Sequence, residues 1–94
     1  MAILLARFKV ADSDRWRQAF ESKADLRKQN GCTGTHIFFN AHDKAEVVVN
    51  LQWDSEENAQ KFIASPEGQT AMRESGMIGA PDIIFLEDGG RTPS

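Results

Sequence analysis

A chain of 94 residues and 10.5 kDa has room for one domain with one modest core, a size at which a lone domain is marginal and gains from a partner. Hydrophobic residues make up 40% and charged ones 27%, which excludes general disorder and a fibrous chain. A net charge of −3, a pI near 5.3 and no basic run longer than Arg27-Lys28 leave no electrostatic footprint for nucleic acid.

Residues 2–10 open the chain with period-two alternation: Leu4, Ala6, Phe8 and Val10 on one face, Ile3, Leu5, Arg7 and Lys9 on the other. This predicts a first strand. The segment is short, contains two cations and lacks a small-residue cleavage site, so it reads as structure and not as a signal peptide. No other apolar run is long enough for a membrane span, and cytoplasmic residence is the expectation.

Asp12 and Ser13 offer N-caps, after which Trp16, Phe20 and Ala24 recur along one side of a helix while Arg15, Arg17, Glu21 and Lys28 face elsewhere. Gly31 is expected to close that helix. Just beyond it stands Cys32, the single cysteine, so an intrachain disulfide is impossible; it reads as a small semi-buried hydrophobe compatible with a reducing compartment. Residues 35–41, with Ile37, Phe38 and Phe39, form a second strand joined by a polar hairpin connection to a third over residues 46–53. Val47, Val48 and Val49 make that strand apolar on both sides, as a central strand should be.

Asp54 with Glu57 three residues on resembles a capping box, and Ala59, Phe62 and Ile63 mark the inward face of the next helix. Ser65-Pro66 restarts the helix, since proline suits a first turn, and Ala71 and Met72 face inward before Gly76. Pro81 precedes a last strand over residues 82–87 with Ile83, Ile84, Phe85 and Leu86. One domain therefore spans residues 1–88, and residues 89–94 form a polar tail expected to be mobile.

The resulting order, βαββαβ, is the α+β, ferredoxin-like arrangement: a four-stranded antiparallel sheet with its helices on one face. The opposite face carries Ile3, Leu5, Arg7, Lys9, Val48, Asn50 and Gln52, too apolar at one end to sit in water. Burying Ile3, Leu5 and Val48 in a second copy contributes about 1.5 to 3 kcal/mol each before association costs, which predicts a homodimer with sheet on sheet. An RNA-recognition module shares the element order, but the third strand lacks that module's basic-Gly-aromatic pattern.

The residues VAD followed by Trp16 and Phe20, the run GCTGTHIFF, the run EVVVNLQWDSEENAQKF, and Met72 to Gly76 before APDIIFLE resemble the dimeric α+β barrel superfamily, specifically the antibiotic-biosynthesis-monooxygenase-like (ABM-like) proteins. The resemblance covers Ile3 to Glu87. It implies a homodimer with a pocket between sheet and helices in each protomer, and an activity among cofactor-independent monooxygenases, haem-degrading enzymes, isomerases and cyclases; fold alone does not choose among them. Trp53 matches the Trp at the end of the third strand in the monooxygenase and haem-degrading groups. The monooxygenase group has an Asn four residues earlier, where this chain has Val49, and a nearby Tyr, a residue type this chain lacks. The haem group requires a first-strand Asn, here Ala6, and a second-helix His, absent from residues 55–75, which disfavours haem degradation.

Trp53, Trp16, Phe62 and Met72 are the expected ligand-binding residues. Each also serves as core, but large flat side chains in so small a domain leave a cleft of the kind that takes a small molecule. His36 is the candidate catalytic residue: an imidazole facing that pocket acts as a base near pH 7, with Trp53 holding an aromatic ring. A one-residue register change instead turns His36 to the dimer face, hydrogen-bonded to Asn40, Asn50 or backbone. His42 is expected in the hairpin loop, and capping explains Asp54, Glu56 and Glu57. No metal-ligand spacing appears, and neither metal nor cofactor is expected. The expected function is binding of an apolar or aromatic molecule by a homodimer, with monooxygenase or isomerase/cyclase chemistry; the alternative is a non-catalytic binding or sensing protein of the same fold.

Overall fold

The computed structural model describes residues 2–94. Eight elements follow in chain order: β1 (Ala2–Val10), α1 (Ser13–Ser22), α2 (Ala24–Gln29), β2 (Cys32–Asn40), β3 (Asp43–Trp53), α3 (Glu56–Ala64), α4 (Pro66–Glu74) and β4 (Met77–Leu86). The strands form one open antiparallel sheet in the order β2-β3-β1-β4, the ferredoxin-like arrangement.

Parity sorts the side chains. Leu4, Ala6, Phe8 and Val10 of β1 and Val47, Val49, Leu51 and Trp53 of β3 are all buried on the face that the helices cover. Trp16 and Ala59 descend onto them from α1 and α3. Trp16 organises one end of this core, with Phe8 at 5.5 Å, Phe20 stacked at 5.0 Å and Phe39 edge-on at 6.4 Å between ring centroids.

The expected first helix is in fact two. Lys23 leaves helical geometry at φ −102° and ψ 13°, and Ala24, expected on the inner stripe, is exposed. The Phe20 carbonyl, which an unbroken helix would offer to residue 24, accepts instead from the Lys23 N–H at 3.2 Å and from Arg27 Nη1 at 2.7 Å. Arg27, not Ala24, occupies the inner side. Gly31 then ends the helical segment at φ +109°, where a Cβ would strike the Asp54 carboxylate at 2.6 Å.

Asp12 caps α1 through the N–H groups of Asp14 and Arg15. At α3 the cap is Ser55 and not Asp54, whose carboxylate accepts from Asn58 Nδ2 at 2.9 Å. Ser65 joins α3 to α4: its hydroxyl donates to the Phe62 carbonyl at 2.7 Å and accepts from the Gly68 N–H at 3.0 Å. This corner requires Gly68, since a Cβ there would lie 2.0 Å from the Phe62 carbonyl oxygen.

Strand β4 begins earlier than expected, at Met77. It pairs Arg7 with Asp82 but Lys9 with Ile78, so extra residues loop out opposite Phe8, with Gly79 at φ +72°. Such a bulge bends the strand locally, and it brings Pro81 to the inner side.

Candidate functional site

Between the inner sheet face and the helical layer lies an apolar cavity of about 110 Å³. Leu4, Ala6, Phe8, Val49 and Leu51 form its floor, while residues from the α1–α2 and α3–α4 segments and the β4 bulge form its walls. A more open groove between α4 and β4 shares Ile63, Met72, Met77, Pro81 and Ile83 with it and so adjoins the cavity at that end.

All four expected ligand-binding residues, Trp53, Trp16, Phe62 and Met72, line this cavity. Trp53 and Phe62 meet at 5.5 Å with their planes inclined by 41°, forming an aromatic wall. The Trp53 indole N–H is buried without a hydrogen-bond partner among the described residues. An orphaned donor of this kind is uncommon in a folded interior and carries unused hydrogen-bonding capacity.

His36 does not join them. It pairs in register with Asn50 of β3, and parity puts both on the sheet face opposite Trp53. The imidazole is exposed and stacks on Phe38 with 4.1 Å between centroids. The arrangement of His36 and Trp53 around one ligand is therefore not formed, because a strand sends alternate side chains to opposite faces. His42 is exposed in the turn after β2, its backbone N–H donating to Asn40 Oδ1 at 2.8 Å.

The remaining candidates have local roles. Glu56 accepts from Gln60 and Glu57 pairs with Lys61, both along the exposed side of α3. Cys32 is buried, its Sγ 3.5 Å from the Gly34 carbonyl, and burial pushes its thiol up. Among the described residues no three His, Cys, Asp or Glu side chains gather to hold a metal ion, and no helix is long and apolar enough to cross a membrane.

Sequence reasoning missed the polar part of the site. Among the described residues the charged ones on the cavity lining are Lys23 and Arg27, and no Asp, Glu or His lines it. Arg27 is only 7% exposed and lies flat over the Phe20 ring at 3.6 Å. Its position seven residues after Phe20, on the stripe begun by Trp16, was the available signal.

The sequence profile described as antibiotic biosynthesis monooxygenase matches residues 1–74. No curated protein matches the chain by sequence. Among solved structures, a proposed antibiotic biosynthesis monooxygenase from Bordetella bronchiseptica superposes with a TM-score of 0.82 at 13% identity, covering 93% of this chain and 95% of that one. SnoaB, a cofactor-independent oxygenase from Streptomyces nogalater, gives 0.80 at 11% identity, covering 99% and 97%. Rv0793 from Mycobacterium tuberculosis gives 0.69 at 17% identity, with 96% of each chain covered. At such identities these likenesses speak for the fold, and the profile match over most of the chain speaks for descent. The chain belongs to the antibiotic biosynthesis monooxygenase family.

Proposed function

We propose that the protein works as a homodimer that binds a planar aromatic or enolisable small molecule in the inner cavity of each protomer and oxygenates it without a cofactor. The observation that carries this reading is the cavity itself: a concave apolar space walled by Trp16, Trp53, Phe62 and Met72, with few polar groups. Family membership supplies the reaction class.

The chemistry suits such a space. An activated methylene beside aromatic rings or a carbonyl gives its proton to bulk solvent before it enters the cavity, and the bound carbanion reduces O2 and captures it as a peroxide anion, which takes a proton back from solvent to become the hydroperoxide. Loss of water then leaves a carbonyl, so that CH2 and O2 become C=O and H2O with the substrate as sole reductant. Exclusion of bulk water protects the carbanion from reprotonation. Isomerase or cyclase chemistry would begin from the same ionised substrate.

The dimer rests on the other sheet face, where Phe38, Ile78, Ile84 and Leu86 are exposed in a single layer with Leu5 and Val48. The register brings Ile3, Leu5, Ile84 and Leu86 side by side, and apolar surface gathered in this way marks an interaction site. In this proposal His36 belongs to that interface.

A second reading has its own support: among the described residues no carboxylate or imidazole lines the cavity to serve as a base, which suits a binding or sensing role. Incubation with dithranol, an anthrone, under 18O2 separates the two. Incorporation of one labelled oxygen above the uncatalysed rate is the expected result. Saturable quenching of tryptophan fluorescence without turnover would instead support the binding protein, and neither signal would remove the pocket reading.

A further inference from the structure

Arg27 is the one charged side chain buried among the described residues. Its guanidinium carries five N–H donors, and among the described residues one hydrogen bond uses them, from Nη1 to the Phe20 carbonyl at 2.7 Å. No described carboxylate lies within 4.0 Å of it. Arg27 also lines a second, more open groove together with Asp54, but the two form no ion pair.

A buried charge is normally paired, because removing it from water is expensive. Here desolvation lowers the Arg27 pKa, and the weaker opposing pull is that of the Cys32 sulfur when ionised and not of any carboxylate. Lys23 reaches the same cavity wall from one turn earlier. Its nearest acid is Glu74 at 4.0 Å, a loose and solvent-exposed contact. The cavity is thus apolar along its length and cationic at the α1–α2 end.

We propose that Arg27, with Lys23 beside it, forms an anion-binding subsite, and that the ligand is an aromatic molecule bearing a carboxylate at one end. The ring system lies along Trp53 and Phe62, and the carboxylate meets the guanidinium, whose planar fork matches two carboxylate oxygens. This rests on the pocket proposed above and adds the charge of its ligand. The competing account makes Arg27 a fastener alone, holding the last carbonyl of α1 to the start of α2. That account predicts lost stability on substitution and no effect on ligand charge preference.

Naphthalene-2-carboxylate and naphthalene-2-carboxamide share shape and differ in charge, so tryptophan-fluorescence titration with both at neutral pH is the test. The wild type is expected to prefer the carboxylate by at least about tenfold, the scale of a charged hydrogen bond. Arg27→Gln is expected to bring the ratio close to one, with Arg27→Lys retaining part of it. Equal binding by the wild type, or an undiminished preference in Arg27→Gln, overturns the subsite while leaving the pocket standing. Failure of both probes to bind removes the pocket and the subsite together. Where near-ultraviolet dichroism shows Arg27→Gln unfolded, Lys23→Met and added salt decide: both must weaken the carboxylate and spare the carboxamide, and equal effects on the two overturn the proposal.

Discussion

The two faces of the sheet are built from the same strands and yet differ in kind. On the inner face Leu4, Phe8, Val47, Val49 and Trp53 are buried under helices; one residue along, Leu5 and Val48 are half-covered and Phe38, Ile78 and Ile84 lie open. Along β3 the inner side carries Val47, Val49, Leu51 and Trp53, and the outer side carries Val48 between Glu46, Asn50 and Gln52. Hydrophobicity and helical cover together separate the two faces. The inner face encloses a cavity with two cations at one end, while the outer face presents apolar residues beside Arg7, Lys9 and Asp82. In the proposed function ligand chemistry falls to one side and assembly to the other.

The adjacent pair Val48 and Val49 offers the sharpest test of that division. Val49→Asp buries an unpaired carboxylate at a site that is 1% exposed, a penalty of several kcal/mol against a marginal total, and the chain is expected to lose its cooperative melt. Val48→Asp is expected to retain the far-ultraviolet spectrum while sedimenting as monomer, where the wild type is expected to sediment as the proposed dimer. Two folded variants, or two unfolded ones, would show that the faces are not distinct in this way.

The helical cover depends on the α3–α4 corner. Gly68→Ala forces a Cβ toward the Phe62 carbonyl, 2.0 Å away, so the corner must open and stability is expected to fall by about 2 kcal/mol or more. Phe62 and Gly68 both line the cavity, so probe affinity should fall as well. An unchanged melting temperature would mean that the corner relaxes without strain.

On the outer face Asn50 Oδ1 is buried without a hydrogen-bond partner, between Leu5 and His36 in register. In the proposed dimer a second copy would relieve this acceptor by drawing the amide outward to a partner donor. Asn50→Leu would then remove that hydrogen bond, and despite its added apolar surface it is expected to weaken dimerisation by about 1 to 3 kcal/mol. Tighter dimerisation, measured by sedimentation equilibrium, would show that the partner supplies no donor.

Much of this division is legible in the sequence, because period-two alternation in residues 2–10 and the apolar run at Val47 to Val49 state which side chains share a face. Trp16, Trp53, Phe62 and Met72 fall where their spacing puts them. What escapes is set by contacts distant along the chain. Register decides where His36 points, and register comes from strand pairing and not from local pattern. Lys23 breaks the first helix because Arg27 and the Lys23 N–H take the Phe20 carbonyl, a competition that no propensity reports. The β4 bulge depends on Gly79 adopting positive φ, and the sequence pattern there reads as an ordinary loop before Pro81.

The smallest expected effect lies at the polar end of the outer face. Lys9 Nζ contacts Asp43 at 2.6 Å and Glu46 at 3.7 Å, all solvent-exposed or partly so. The hydrogen bond from Lys9, then that from the Ala45 N–H, holds the Asp43 carboxyl below its ordinary 3.8, and the same bond holds Lys9 above 10.5. A depressed carboxyl stabilises the fold above its unfolded value and loses that contribution as pH falls through the native one; a raised ammonium stabilises below its unfolded value and loses it as pH rises. Asp43→Asn keeps the acceptor for Ala45 but removes the charge. Its melting temperature should therefore fall slightly below wild type between about pH 5 and 9, with the two curves converging toward both extremes. A gap that stays constant down to about pH 2.5 would mean that the charge of Asp43 plays no part, since a carboxyl already protonated has nothing left to lose.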